Sequence, residues 1–188
     1  MAIRQPISAE TLEAGEVSVR LRPVALDDAE RMFAWMCDPD VRRNVGVRAE
    51  PSLEATLSWI DRAEVDEGTL AWAIEASGRH VGNLVLDQLD PMVQSVRLSV
   101  YIGEKDLRSK GIAGKAITLA LTDAFEQRGI QKVWLTVVID NTSAIRCYHR
   151  CGFRIEGILR QTFFAGNAIK DAFYMGITRR DYDSMNPA

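Results

Sequence analysis

Hydrophobic and polar residues alternate along several stretches of the chain, which predicts β-strands that bury one face. The stretch from Val17 to Pro23 alternates in this way and predicts the first strand. Three runs farther along, over residues 70–76, 80–86 and 93–102, predict three more strands in succession. Because Ser77-Gly78 is a tight-turn signal between the first two of these runs, we expect an antiparallel meander.

Apolar residues three and four positions apart predict helices in the remaining stretches. The first of these helices begins at Asp27. The other three run from Pro51 to about Asp66, from Gly111 to Arg128, and from Asn141 to Cys151. Glu30 follows Asp27 at the spacing of a capping box, and Pro39 is expected to close the first helix. Asn141 is expected to cap the last of these helices, and Gly129 stands where the helix before it should end.

The stretch from Lys132 to Ile139 is apolar and β-branched, which predicts a strand buried on both faces. Two last strands are predicted over residues 153–160 and 168–178. Strands and helices that alternate behind a meander predict an α/β fold with a mixed sheet. Residues 1–16 are polar and irregular, so we expect a flexible arm there and a single domain over residues 17–188.

Composition excludes several classes of protein. The 188 residues are 47% hydrophobic and 26% charged, which is typical of one globular domain with a packed core. A net charge of −3 disfavours nucleic acid as a partner. The longest apolar run, from Val133 to Ile139, is too short to span a membrane. The first ten residues contain no apolar signal core, so we expect a cytoplasmic protein.

The cysteines indicate a reducing compartment and no metal site. Cys37, Cys147 and Cys151 are an odd number for a disulfide framework. Cys147 and Cys151 flank His149, but His80 is the only other histidine, so a metal would lack ligands. We therefore expect packed thiols.

The segment from Tyr101 to Ala116 is the most informative stretch for function. It predicts the end of a strand, a turn rich in glycine and cations, and the start of a helix. N–H groups at a helix start are unpaired and the helix dipole is positive there, while Arg108 and Lys110 add charge. This combination predicts a pyrophosphate cradle, and a helix start with solvated cations is the alternative. The spacing of Gly111 and Gly114 fits neither a Walker loop nor a G-x-G-x-x-G pattern.

Two blocks of sequence resemble the GNAT superfamily of acetyl-CoA-dependent N-acetyltransferases. Arg108-x-x-Gly111-x-Ala113 resembles its R/Q-x-x-G-x-G/A loop. The segment from Asn141 through Tyr148 to Gly152-Phe153 resembles its N-x-x-A-x-x-x-Y-x-x-x-G-F pattern. Residues 156–174 are similar to the branch that contains ribosomal-protein N-terminal and spermidine acetyltransferases. The resemblance implies a mixed, mostly antiparallel sheet flanked by helices, and a single acetyltransferase domain.

The resemblance also implies acetyl-CoA as co-substrate and assigns residues to its binding. In the superfamily, backbone amides of the matching loop bind the CoA pyrophosphate. Here that loop comprises Arg108, Ser109, Lys110, Gly111, Ile112, Ala113 and Gly114. The end of the preceding strand, at Tyr101, Ile102 and Gly103, would bond the pantetheine arm, and a backbone N–H near Ile102 would stabilise the oxyanion. Asn141 would contact the pantetheine, a role compatible with helix capping.

Tyr148 matches the tyrosine that protonates the leaving thiolate in this superfamily. It follows Asn141 by seven residues, nearly two helical turns, so both lie on one helix face. A phenol with a pKa of about 10 is protonated at neutral pH and can donate a proton to the CoA thiolate. Without the resemblance, a half-buried tyrosine packing its ring is the ordinary interpretation.

One position departs from the pattern and bears on the choice of acceptor. Arg97 occupies the place where many relatives carry a glutamate base, which leaves Asp87 and Glu104 as candidates, although the ordinary interpretation of each is a solvated surface charge. A lysine-like amine has a pKa of about 10.4, whereas an α-amine near 8 is already about a tenth neutral at pH 7. We therefore expect an α-amine or an amino sugar as acceptor, rather than a polyamine.

The acceptor pocket is weakly encoded in the sequence. Three tryptophans are candidates for lining it or for the core: Trp35, Trp59 and Trp72. Asp38 and Asp40 would attract a cation. An opposing basic stretch would attract an acidic substrate; it comprises Arg42, Arg43 and Arg48.

Alternative functions and assemblies stay open. A non-catalytic acetyl-CoA sensor is one alternative, and an aminoglycoside or amino-sugar N-acetyltransferase is another. An α/β protein that binds a different phosphate ligand through the same loop is a third. Apolar residues near the last strands suggest either a homodimer or packing within one protomer: Phe163, Phe164, Ile169, Phe173 and Tyr174.

Overall fold

The computed structural model describes residues 7–8, 17–46, 49–165 and 168–187. Its eight strands are β1 (Ile7–Ser8), β2 (Val19–Pro23), β3 (Leu70–Ala76), β4 (Arg79–Asp90), β5 (Ser95–Ile102), β6 (Lys132–Val138), β7 (Arg154–Ala165) and β8 (Ala168–Thr178). They form one sheet in the order β1-β2-β3-β4-β5-β6-β8-β7. The predicted mixed α/β fold is confirmed.

Neighbouring strands run antiparallel, with β5 and β6 as the parallel exception. The expected meander is formed by β3, β4 and β5, and a turn at Ser77-Gly78 joins the first two. The meander strand β4 is longer than its sequence pattern predicts, because the strand continues beyond a register shift between Asp87 and Asp90, where Asp90 pairs with Ser95 of β5.

The helices are α1 (Ala29–Met36), α2 (Pro39–Val45), α3 (Leu53–Val65), α4 (Ile112–Thr122), α5 (Thr142–Arg150) and α6 (Arg179–Met185). Pro39 follows the end of α1 as predicted, but it also opens α2, which the apolar pattern did not predict. Proline suits the first turn of a helix, and the Asp38 carboxylate caps α2 by accepting a hydrogen bond from the Asp40 N–H at 3.0 Å. The capping box expected for Asp27 and Glu30 is wrong, since Asp28 accepts from the Ala25 N–H at 2.9 Å instead.

Two helical segments differ from what the sequence pattern predicts. The helix predicted over residues 111–128 is regular only as α4, and a π-helical turn follows over Asp123–Gln127. Gly129 ends it with a positive φ of 68°, as its position predicted. Helix α6 was not predicted, because its seven residues are almost entirely polar.

The sheet separates two hydrophobic clusters. The larger lies against α4 and α5 and includes Ile74 and Leu84, whereas a smaller one lies under α1 and α3 and includes Met32 and Trp35. Because side chains alternate along a strand, residues of odd number in the middle of β4 and β5 face the smaller cluster. The site described below lies on that face.

Most of the predicted arm over residues 1–16 lies outside the described residues. Ile7 and Ser8 are described, and they pair with Leu21 and Arg20 of β2. The domain boundary at residue 17 stays a prediction. Among the described residues, no helix has the length and apolar character needed to cross a membrane.

Candidate active site

A gap in the sheet defines the site. The parallel pairing of β5 and β6 covers only three residues of each strand, Ser95–Arg97 and Lys132–Trp134. Beyond it, β5 continues beside β4 as far as Ile102, while β6 continues beside β8 as far as Val138. Both strands therefore keep one partner each and diverge from one another, which leaves facing strand edges open in the middle of the molecule.

A cavity of about 450 Å³ lies at this gap on the side of α1–α3. Its apolar lining includes Met32, Met36, Trp59 and Phe163. Its polar lining includes Asn44, Glu50, Asn83, Asp87, Arg97, Ser99, Tyr101, Thr136 and Tyr148. The volume suits a small molecule or the end of a larger one.

Tyr148 reaches the cavity from the opposite layer of the fold. It belongs to α5 and packs in the larger cluster, where its ring lies 5.9 Å from that of Phe153. It nevertheless lines the cavity, because the diverging strands leave a passage through the sheet. Burial raises the pKa of Tyr148, and the negative charge of the Cys147 thiolate adds to the shift. The phenol is therefore protonated at neutral pH.

Asn141 caps α5 as its sequence position predicted. Its side-chain oxygen accepts a hydrogen bond from the Ala144 N–H at 3.2 Å. Its amide nitrogen donates to the side-chain oxygen of Asn44 at 3.3 Å, which joins α5 to α2 at the mouth of the gap. The contact with pantetheine expected for Asn141 stays a prediction.

The loop before α4 presents unpaired backbone donors. Ser109 and Gly111 have positive φ angles of 62° and 79°. Gly111 precedes α4 without a side-chain cap, and the first helical bond runs from the Lys115 N–H to the Gly111 carbonyl at 3.1 Å. The N–H groups of residues 112–114 thus have no acceptor within the helix and stand at its positive end, which is suited to an anion.

Arg108 holds this loop in place with its side chain. Its guanidinium donates to the carbonyls of Ile102 at 3.0 Å and Gly103 at 2.9 Å, and to the Asp38 carboxylate at 3.0 Å. Burial of Asp38 opposes its ionisation, but the Asp40 N–H and the Arg108 guanidinium together lower its pKa. Arg108 thereby ties the loop to the end of β5 and to the start of α2.

The end of β5 is tightly fixed. Tyr101 donates its hydroxyl to the Asn83 side chain at 2.9 Å, and burial raises the pKa of this phenol. The Gly103 N–H donates to the Val81 carbonyl at 2.9 Å. A Cβ at Gly103 would lie 2.0 Å from the Trp35 ring, so only glycine permits this close packing.

The candidate carboxylate bases are paired with arginines. Asp87 accepts two hydrogen bonds from Arg97, at 2.8 and 2.7 Å, across neighbouring strands. Glu104 accepts from the Trp35 indole N–H at 3.3 Å and pairs with Arg79. Within the described lining, Glu50 is the other carboxylate, and it pairs with Arg42 at 3.1 Å.

Sequence reasoning located some of the pocket and missed the rest. Trp59 lines the cavity, whereas Trp35 and Trp72 are buried in the two clusters. Asp38 and Asp40 are paired with arginines, and Arg48 lies outside the described residues. Alternation along β4 and β5 could have identified two of the missed residues, Asn83 and Ser99, because they share a strand face with Asp87 and Arg97.

The residues proposed for a dimer contact do not share one exposed face. Phe163 lines the cavity, Phe173 packs on the larger cluster, and Tyr174 stacks on Trp134 with ring centroids 5.1 Å apart. Ile169 is exposed. The homodimer stays a prediction.

A family model and several known proteins are similar in sequence to this chain. The family model described as an acetyltransferase (GNAT) domain matches residues 18–154. Spermidine N(1)-acetyltransferase of Escherichia coli K12 is 24% identical over 165 residues, which cover 88% of each chain. A putative ribosomal N-acetyltransferase of Bacillus subtilis, YdaF, is 21% identical over 187 residues and 96% of each chain.

Solved structures have the same fold. Spermidine N-acetyltransferase from Vibrio cholerae, in complex with CoA and spermine, aligns with a TM-score of 0.82 and 21% identity, over 87% of this chain and 97% of the other. Mycobacterium smegmatis RimJ, in complex with CoA-disulfide, aligns with a TM-score of 0.78 and 21% identity, over 91% of this chain and 92% of the other.

Proposed function

Because the chain belongs to the GNAT family of acetyltransferases, we propose that it transfers acetyl groups to an α-amine, with Tyr148 as the general acid and the loop over residues 108–114 as the acetyl-CoA site. The chain is an acetyl-CoA-dependent N-acetyltransferase, and acetyl-CoA is its co-substrate. The proposal adds which residues perform the reaction and which class of amine accepts the acetyl group.

Backbone N–H groups from Ser109 to Gly114 bind the pyrophosphate of acetyl-CoA. The positive φ angles at Ser109 and Gly111 and the uncapped start of α4 support this role. The Arg108 side chain acts by positioning the loop, because its Nε and Nη2 atoms donate to two carbonyls and a carboxylate of the chain. Lys110 is exposed and adds positive potential.

The gap between β5 and β6 receives the pantetheine arm. The open edge of β5 ends at Tyr101 and Ile102, which supports pairing with the amides of the arm as if it were an added strand. Gly103 contributes by close packing, since both its N–H and its carbonyl have partners in the chain.

Tyr148 is the general acid in the proposed reaction. The neutral amine attacks the thioester carbonyl, and the tetrahedral intermediate then expels the CoA thiolate. Tyr148 donates its phenolic proton to this sulfur, and its position in the lining of the cavity and its protonated state at neutral pH support the role. The proton released by the amine passes to water or buffer, since the candidate carboxylates are held by arginines.

The paired state of Asp87 and Glu50 is the observation that supports an α-amine most strongly. A polyamine carries several ammonium groups and requires anionic partners, yet both carboxylates in the described lining already have arginine partners, Asp87 through two hydrogen bonds and Glu50 through an exposed ion pair. An α-amine with a pKa near 8 needs no strong base, and the apolar wall at Met32, Met36 and Trp59 suits the side chain beside it.

Release of CoA thiol from acetyl-CoA tests this proposal. A panel at pH 7 would contain a peptide with an apolar first residue, an amino sugar and spermidine. We expect the peptide to have the highest kcat/KM and the rate with spermidine to rise more steeply toward pH 9. Efficient turnover of spermidine at pH 7 would overturn the α-amine assignment. Binding of acetyl-CoA without thiol release for any amine would favour a sensor.

A further inference from the structure

Two thiols lie against the cofactor loop and have no part in the transfer reaction. Cys147 and Cys151 are one helical turn apart at the end of α5, so both side chains face the same neighbour. That neighbour is the first turn of α4. The Cys151 sulfur lies 3.7 Å from the Gly114 carbonyl, and a Cβ at Gly114 would lie 3.7 Å from the Cys147 sulfur.

The pair divides into a more acidic, partly exposed thiol and a less acidic, buried one. A hydrogen bond from Cys151 lowers the pKa of Cys147 to about 7, against the effect of burial and with help from the nearby Arg150 charge. The same interaction and burial raise the pKa of Cys151, although Thr118 on α4 and Arg150 oppose that shift. Cys147 is partly exposed, whereas Cys151 is buried. This division is the one that a reactive cysteine and its resolving partner require.

We propose that Cys147 and Cys151 form a redox-modification site whose substrate is a small hydroperoxide and whose product is an intrahelical disulfide. The Cys147 thiolate attacks the terminal peroxide oxygen and becomes a sulfenic acid, and the peroxide is reduced to water or an alcohol. The Cys151 thiol then attacks the sulfenic sulfur, a disulfide forms and water leaves. The hydroperoxide thus accepts the two electrons that the thiols lose.

The disulfide would distort the end of α5. Side chains four residues apart on a helix have Cβ atoms about 5–6 Å apart, whereas a disulfide needs about 3.5–4.5 Å. Closing that distance tightens the turn that contains Tyr148 and shifts both sulfurs against Gly114. We therefore expect oxidation to lower acetyl transfer, and a dithiol reductant to restore it. This functional consequence rests on the roles proposed for Tyr148 and the loop.

The first experiment uses the Cys37→Ser chain, which removes the exposed cysteine and leaves only the pair. Trypsin cuts after Arg146, Arg150 and Arg154, so Cys147 and Cys151 fall in separate peptides, CYHR and CGFR. After brief treatment with hydrogen peroxide, we expect these two peptides to appear joined in the mass spectrum and to separate on reduction. Failure to find the joined pair, with Cys147 unmodified, would overturn the proposal.

Two further measurements separate this proposal from the one on function. Alkylation of Cys147 by iodoacetamide should be half-maximal near pH 7, and CoA at ten times its Kd should slow it roughly tenfold by covering the loop. Cys151→Ser should stop at the sulfenic acid and form no disulfide. Alkylation near pH 7 without protection by CoA would contradict the loop assignment and leave the thiol site intact. A midpoint above pH 8 together with normal acetyl transfer would contradict the thiol site alone.

Discussion

At the scale of single residues, the general-acid role proposed for Tyr148 leads to the first prediction. Replacing Tyr148 with Phe removes the donated proton and keeps the ring that packs on Phe153. We expect kcat to fall by about 10²–10⁴, with little change in the KM for acetyl-CoA, because general acid catalysis contributes a factor of that size. Initial rates at saturating amine measure the effect.

A control accompanies the Tyr148→Phe variant. Its melting temperature should rise with acetyl-CoA as much as that of the unsubstituted chain, since the cofactor loop is unchanged. A kcat within threefold of the unsubstituted value would show that another group, or water, protonates the thiolate.

The ion pair of Arg97 with Asp87 in the cavity lining leads to a second prediction. In Arg97→Gln, the Asp87 carboxylate loses its partner and becomes available to an ammonium group. We expect the ratio of kcat/KM for spermidine to that for the peptide to increase at least several-fold. The double variant Arg97→Gln with Asp87→Asn, which keeps the cavity neutral, should return the ratio toward its original value. An unchanged ratio in the single variant would mean that this pair does not discriminate between amines.

At the scale of elements, the proposed binding of acetyl-CoA at the start of α4 depends on the backbone conformation of Gly111. Gly111 has a φ of 79° with open space around its Cα, so alanine there is strained by its backbone and meets no steric clash. We expect Gly111→Ala to lose about 1–2 kcal/mol of unfolding free energy and to bind acetyl-CoA more weakly, because the loop N–H groups are redirected. Urea unfolding and the acetyl-CoA-induced rise in melting temperature measure the two effects.

Gly129 offers a matched control for that substitution. It has a φ of 68°, equally open surroundings and a position at the far end of the same helical segment. Gly129→Ala should therefore lose a similar unfolding free energy and keep the full response to acetyl-CoA. Equal losses of that response in both variants would argue against the loop as the pyrophosphate site.

Elements also differ in how far the sequence predicted them. Strand β8 has the bounds that its apolar pattern predicted, and α5 begins directly after its cap, Asn141. Helix α2 was missed because Pro39 was interpreted as an end alone, and its short polar sequence has no apolar stripe. It is held by contacts distant in sequence, among them the ion pair of Asp38 with Arg108.

At the scale of the whole molecule, a largely buried charge cluster joins β2, the turn before α1, β3 and β4. Arg22 donates two hydrogen bonds to Asp28, both 2.7 Å long, and one to Glu75 at 2.8 Å. The His80 ring nitrogen Nδ1 lies 3.0 Å from the Asp28 carboxylate. Burial opposes ionisation of Asp28 and Glu75, but their hydrogen-bond partners outweigh it and lower both pKa values.

This cluster predicts how stability depends on pH. Both carboxyl groups have pKa values below their unfolded values of about 4, so the stability they supply is complete above pH 5 and is lost as pH falls. We expect the urea midpoint to decrease between pH 5 and pH 3. Glu75→Gln should reduce that decrease. Asp183→Asn, which breaks only the exposed pair with Arg179, should leave it unchanged, and an equal decrease in all three chains would contradict this assignment.

The sequence by itself determined the order of strands β2 to β8 and of helices α1, α3, α4 and α5, together with the meander, the glycine-rich start of α4 and the positions of Asn141 and Tyr148. These features depend on periodicity, turn residues and short motifs, which act over a few neighbouring residues. The reaction was also predictable from the sequence, because the family resemblance depends on two motifs that are themselves short.

The tertiary structure decided the gap between β5 and β6 and the passage of Tyr148 through the sheet into the cavity. It also decided the pairing of Asp87 and Glu104 with arginines and the anchoring of Arg108 to Asp38. Each of these features joins residues from different elements, and the pairing of a charge is fixed only when folding brings its partner near. The sequence does not give the distance in space between two charged residues that lie far apart along the chain. The ion pairs that line the cavity are therefore decided by the packed structure.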